Sequence, residues 1–198
     1  SEIYQQRIDL LLRNAYIGLI LVLFILGIFL EIRLAFWVTM GIPVSFLGAL
    51  LLMPAMDVSV NMISLFAFIV TLGMVVDDAI VVGENIYEER SRGARPLEAA
   101  IRGAQRVAVP VCFSIATSVV AFMPMLFVPG FSGKLYRVIP SIVIAVLVIS
   151  LVESLWVLPA HLAALREPRS HGLYAAVHRQ QQRVRRALER FIQNVYAP

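Results

Sequence analysis

The chain has 198 residues, of which 60% are hydrophobic and only 15% charged, with a formal net charge of +4. A soluble domain of this length carries about 25% charged residues, so there is too little polar surface here to coat a water-soluble globule. The single cysteine, Cys112, excludes an internal disulfide, and its apolar surroundings favour a small buried hydrophobe.

In chain order, the opening SEIYQQRIDLLLRN is polar, mixed in charge and without an initiator Met. It lacks the basic segment, short apolar core and small-residue cleavage site of a secretory signal, as expected of a piece of a longer protein. Five nearly charge-free stretches follow: Asn14–Leu30, Leu34–Met56, Val58–Val76 continuing past two aspartates to Gly83, Val107–Gly133, and Val138–Leu165 interrupted by Glu153. A helix needs roughly 20 apolar residues to cross the hydrocarbon core. A backbone in lipid must also satisfy its hydrogen bonds internally, and no period-two alternation suggests a barrel. The expected fold is therefore all-α, a polytopic membrane bundle. Its helices fall at about 10–30, 34–56, 60–86, 107–128 and 138–163, a half-domain over 1–165, followed by a linker over 166–198.

The connectors orient the bundle. Those after the first, third and fifth helices hold Arg33, then Arg90, Arg92, Arg95, Arg102 and Arg106, then Arg166 and Arg169 with the arginines beyond. The opposite side holds Asp57 in one connector and Lys134 with Arg137 in the other; Arg7 and Arg13 count mildly against the assignment. Arginine bias places the first set in the cytoplasm, with the N-terminus outside and the C-terminus inside. Glu31–Arg33 reads as a tight turn, and Asp57, Ser59 and Asn61 are available to cap the next helix. Between Glu84 and Val107 there is room for two short helical pieces. Gly93 can end the first in a left-handed conformation, and Pro96 opens the second with Glu98 near its positive end. FVPGFSGKLYRVIP reads as a compact loop.

Beyond Arg166, the apolar Val177, Val184, Leu188, Phe191, Ile192 and Val195 recur at helical spacing among Arg179, Arg183, Arg185, Arg186 and Arg190. Such a basic amphipathic helix can lie on an anionic lipid surface or pack on the rest of its own protein.

The chemistry sits in TLGMVVDDAIVVGEN. With the third helix starting near Val60, Asp77 lies roughly 25 Å along it, and Glu84 and Asn85 come about 10 Å later. Both aspartates are thus inside the membrane, where one acid costs on the order of 2.5–3.5 kcal/mol. Neighbours on a helix differ by about 100° in direction, so both can point into a bundle. Desolvation and a second carboxylate nearby both favour holding a proton, so a coupled pair can bind and release one near neutral pH. Gly73 and Gly83 flank the pair and let neighbouring helices approach. An intramembrane aspartyl protease needs carboxylates facing each other across a peptide bond, which neighbours on one helix cannot do. A diphosphate transferase holding magnesium needs further acids a turn away, where the chain reads AIVVG. A proton relay needs only the pair and a partner cation. The residues call for no cofactor, no metal and no nucleic acid. The alternative to a relay is a structural or assembly module whose acids only join helices.

GMVVDDAIVVGENIYEERSRGARPLEAAIRGA closely resembles the fourth transmembrane helix and following segment of resistance–nodulation–division (RND) efflux transporters of the multidrug AcrB type. PGFSGKLYRVIP, LPAHLAAL and FLEIRLAFWVTMGIPVSFLGALLLM extend the likeness over nearly the whole chain, most weakly after Leu165. The resemblance implies the second to sixth helices of an inner-membrane, proton-driven exporter of organic amphiphiles. It also implies a homotrimer, a periplasmic adaptor and an outer-membrane channel, and makes Asp77 and Asp78 the proton acceptors. Their partner would be a lysine in a second half of the protein; the one lysine here, Lys134, falls in the outer loop. Metal-exporting relatives usually lack the adjacent pair. Protein-export accessory and sterol-sensing members of the wider superfamily share intramembrane acids but not these flanks.

Glu153 departs from the drug-export pattern, at a depth comparable to the pair. It can join the proton path, or bond Ser154 or another helix as structural glue. His161 reads as an exposed interfacial histidine. Thr71 is a possible accessory to the relay, although it, Ser114, Thr117 and Ser118 are expected to bond their own backbone carbonyls.

Overall fold

A computed structural model of the chain describes residues 32–164, together with helical positions 13, 16–18, 20, 21 and 24. Most of the first expected helix and all of the amphipathic tail lie outside the described residues. The chain divides into two compact units, Ser1–Phe36 with Arg166–Pro198, and Trp37–Leu165.

Helix α1 spans Ile32–Leu52 and carries Pro43 in its interior. A short 3-10 turn at Pro54–Met56 follows, closed by Asp57 in the left-handed region at φ 56°. Helix α2, Met62–Ser91, opens on a capping box at Asn61. The amides of Ile63 and Ser64 donate to the Asn61 side chain at 2.9 and 3.0 Å, and the Asn61 amide donates to Ser64 Oγ at 2.7 Å. Of the three capping residues expected, Asn61 is the one used.

Two short cytoplasmic helical pieces were expected after Gly83, but α2 runs unbroken to Ser91 and α3 spans Pro96–Phe122. Nothing between Gly83 and Ser91 interrupts the backbone ladder; the breakers are Gly93, at φ 91°, and Pro96. The result is a helical hairpin with a four-residue turn. Arg106 of α3 reaches back to Glu89 at 3.4 Å, and Arg92 pairs with Glu88 at 2.7 Å. These pairs are exposed and each is worth little.

The expected loop after α3 is instead folded. Met123–Phe127 forms a 3-10 turn, Gly130–Tyr136 forms α4, and α5 follows over Val138–Val152. Past Val152 the helix widens to a π turn at Glu153–Val157 before α6, Leu158–Ala164. Among the described residues no strand occurs, and four stretches are long and apolar enough to span a membrane: Leu34–Leu52, Met62–Ser91, Pro96–Phe127 and Gly133–Ala164. This is an all-α polytopic bundle.

Packing centres on α2, which lies against α3 and α5, while α3 also meets α5 and α6. Helices α2 and α3 approach closely at Gly103. A Cβ there would stand 2.6 Å from the Cα and N of Ile86, which are backbone atoms that cannot swing aside. Phe46 of α1 meets Phe68 of α2 with ring centroids 5.2 Å apart. Large apolar side chains, among them Phe66, Ile69, Phe113 and Trp156, remain exposed. A chain whose helices are apolar on their outer faces as well suits lipid or further helices as its surroundings. Substituting Gly103→Ala should therefore destabilise the hairpin by about 1–3 kcal/mol, the usual cost of overpacking. Thermal unfolding of the purified protein checks this, and an unchanged midpoint would count against the close crossing.

Candidate functional site: intramembrane carboxylates

Helix α2 buries Ser64, Phe68, Thr71, Val75, Asp78, Val82 and Ile86. These positions advance by threes and fours, the spacing that keeps one stripe of a helix facing its neighbours. Asp78 occupies a regular position on that stripe, between Val75 and Val82, and is 9% exposed. Its carboxylate is thus held in the packed seam rather than on an outer face.

Asp77, about 100° away around the helix, falls on a different stripe and is exposed. Phe66, Ile69, Gly73 and Glu84 share that side and are also exposed. The expectation that both acids can point into the bundle is met among the described residues by Asp78 alone. Gly73 has nothing within 4 Å of where a Cβ would stand, so no described helix packs there. Gly83 is buried. Gly103 and Gly41, neither of which the sequence singled out, each have close neighbours.

Thr71 lies two turns before Asp78 on the same buried stripe. Its hydroxyl donates to the carbonyls of Ala67 and Phe68, each at 3.0 Å. Thr117 and Ser118 likewise donate to Phe113 and Ser114 at 2.8 and 3.1 Å. The backbone is the partner in each case, as expected for hydroxyls in an apolar helix.

Glu153 is 5% exposed, at the first position of the π turn. Its carboxyl lies against the backbone of Gly41 on α1: a Cβ at 41 would stand 2.6 Å from Glu153 Cδ and 2.8 Å from Oε1. The expected bond to Ser154 is not made, since Ser154 Oγ is buried with no hydrogen-bond partner, as are Ser45 Oγ and Ser150 Oγ. The π turn packs against α2, the helix that carries the aspartates. The ion pairs Arg92–Glu88, Arg92–Glu89, Arg102–Glu98, Arg106–Glu88 and Arg106–Glu89 all belong to the α2–α3 hairpin and leave the three buried-region acids aside. His161 is exposed and stacks on Trp37, with ring centroids 3.9 Å apart and planes 10° apart. Cys112, expected to be buried, is exposed on α3. The whole of that helix has few inward positions, and Cys112 follows the buried Val111 by one residue.

The profile of the AcrB/AcrD/AcrF family matches residues 1–197. The chain belongs to that family of RND transporters. It is 35% identical to the multidrug resistance protein MdtC of Yersinia pseudotuberculosis over 186 residues, which is 93% of this chain and 18% of that protein. MdtC of Yersinia pestis gives the same identity over the same shares. An uncharacterized transporter of Haemophilus influenzae is 36% identical over 121 residues, 61% of this chain and 11% of that protein. The chain therefore spans less than a fifth of the length of these MdtC relatives. With its membrane-length helices, it is a multi-pass membrane segment of an RND transporter.

The two stripes of α2 make a direct prediction for the chain 1–198 in bilayers. With Cys112 replaced by Ser, a cysteine introduced at position 77 should react with a lipid-soluble maleimide several-fold faster than one at position 78. Equal rates, measured by mass shift over time, would contradict the buried placement of Asp78.

Proposed function

We propose that these residues belong to the membrane half-domain of a proton-driven exporter of organic, amphiphilic compounds, with Asp77 and Asp78 as its proton relay. The observation that carries this reading is the placement of Asp78 in the packed seam of a membrane-length helix, next to Asp77 on a face that the described helices leave uncovered. Acids in such positions are costly to keep, and they mark ion pathways far more often than lipid contacts.

The division of labour follows from the two stripes. Asp78 is buried on the packed stripe of α2, so a change in its charge alters the free energy of that seam. Asp77 faces the side on which a further helix with a cation can approach, and Gly73, one turn earlier on the same side, leaves room for it. A lysine in the remainder of the polypeptide is the partner this geometry asks for. When it pairs with the carboxylates they stay charged; when it withdraws, they take protons, because bare charge in a dry seam is unfavourable. That exchange converts proton movement into helix displacement. Thr71 shares the buried stripe and can steady the backbone on the outer side of Asp78.

The family membership and the MdtC relatives support multidrug export as the purpose. The whole protein would then sit in the bacterial inner membrane as a homotrimer, joined to a periplasmic adaptor and an outer-membrane channel. This segment would start on the periplasmic side and end in the cytoplasm.

In the full-length protein, Asp77→Asn and Asp78→Asn should each reduce proton-driven efflux to background. The substitutions keep shape and hydrogen bonding but remove the titrating group. Dye efflux from cells with equal membrane expression is the measurement. Retained efflux in both variants would overturn the relay.

A further inference from the structure

The aspartate pair leaves a second polar cluster in the bundle without a role. It is built by two helices that run in opposite directions. On α1, a Cβ at Gly41 would meet Glu153, and a Cβ at Gly48 would stand 3.0 Å from Ile149 Cδ1. Ser45 lies between these two contacts, one turn from Gly41 on the same side of α1. On the opposite element, Ser150 precedes Glu153 by three residues and Ser154 follows it. The hydroxyls of Ser45, Ser150 and Ser154 are all in fully buried residues, and none has a hydrogen-bond partner.

This arrangement is not how helices dispose of serine in an apolar setting. Thr71, Thr117 and Ser118 bond a carbonyl one turn back. The three serines around Glu153 do not, so their donors and acceptors stay available in the layer between α1 and α5. A buried hydroxyl without a partner is uncommon and calls for a reason. The helix is also widened at this point, with the amide of Leu158 donating to the carbonyl of Glu153 across a π turn. Such single turns inside α-helices recur at functional sites. Gly41 completes the cluster, because any side chain there would occupy the volume of the Glu153 carboxyl.

We infer that Glu153 is a second proton-carrying site of this membrane domain, distinct from the aspartate pair, with Gly41 as its seat and the unpartnered hydroxyls of Ser45, Ser150 and Ser154 on the elements that meet there. The carboxylate takes up a proton and later releases it, and no other bond is made or broken. The elements packed on this turn carry few competing charges. There is none on α1 between Trp37 and Leu52 and none on α5; the apolar part of α2 carries Asp77 and Asp78, and α6 carries His161.

This inference rests on the proton-driven reading above, and its test separates the two. The full-length transporter is reconstituted in liposomes, and substrate export and protons moved per substrate are measured across a range of pH. Glu153→Gln should flatten the pH profile and lower the proton count, while Glu153→Asp keeps a pH-dependent profile. A Glu153→Gln profile and proton count equal to those of the unmodified protein would overturn the inference and leave Glu153 as a structural contact. Export that responds to a sodium gradient through Glu153, with no change in proton count, would overturn it as well. Should the glutamine variant not insert, the unmodified protein is treated with a hydrophobic carbodiimide. An adduct at Glu153 that forms faster as pH falls supports the site, and no pH-dependent adduct there overturns it. If efflux survives loss of both aspartates, the relay reading fails instead, whatever Glu153 does.

Discussion

Carboxylates cannot stand bare in hydrocarbon, and that constraint organises this bundle. A charged acid at the centre of a membrane helix costs several kcal/mol unless packing, a cation or a proton relieves it. Asp78 is placed on the buried stripe of α2, and Glu153 is placed over Gly41 of α1, which has no side chain to obstruct it. The close crossing at Gly103 matters for the same reason. It draws α3 onto α2 near Ile86, two turns beyond Asp78, and so keeps the seam shut at its charged end.

The three acids differ in what surrounds them. Asp78 is enclosed by apolar neighbours along its stripe. Asp77 is on the uncovered side, together with Gly73. Glu153 is enclosed, but among hydroxyls that have nothing to bond. A seam, an open face and a polar pocket are three ways for a membrane protein to keep an ionisable group usable.

Much of this was legible in the sequence. Runs of apolar residues located the helices, since lipid leaves the backbone few alternatives. Gly93 and Pro96 marked the hairpin turn because only their backbone preferences matter there, and Asn61 marked a helix start. The family was legible because GMVVDDAIVVGEN and its flanks are specific. What stayed hidden depended on which faces meet. Adjacent aspartates read alike, yet 100° of rotation buries one and exposes the other. Gly73 and Gly103 are the same residue type, but only Gly103 has a backbone pressed against it. The extension of α2 to Ser91 was obscured by charge, which suggested connector although nothing there breaks a helix. Gly41, Ser45 and Ser150 carried no signal at all, because their meaning lies in the contact between α1 and the turn at Glu153, far apart in the chain.

The proposed relay requires that Asp78, in its seam, change its protonation during operation. Difference infrared spectroscopy of the full-length transporter in bilayers, recorded as pH is stepped through neutrality, addresses this without relying on transport. A carboxyl stretching band should come and go with pH and be diminished when Asp78 is replaced by Asn. A difference spectrum that is identical with and without the Asp78 carboxyl would contradict it.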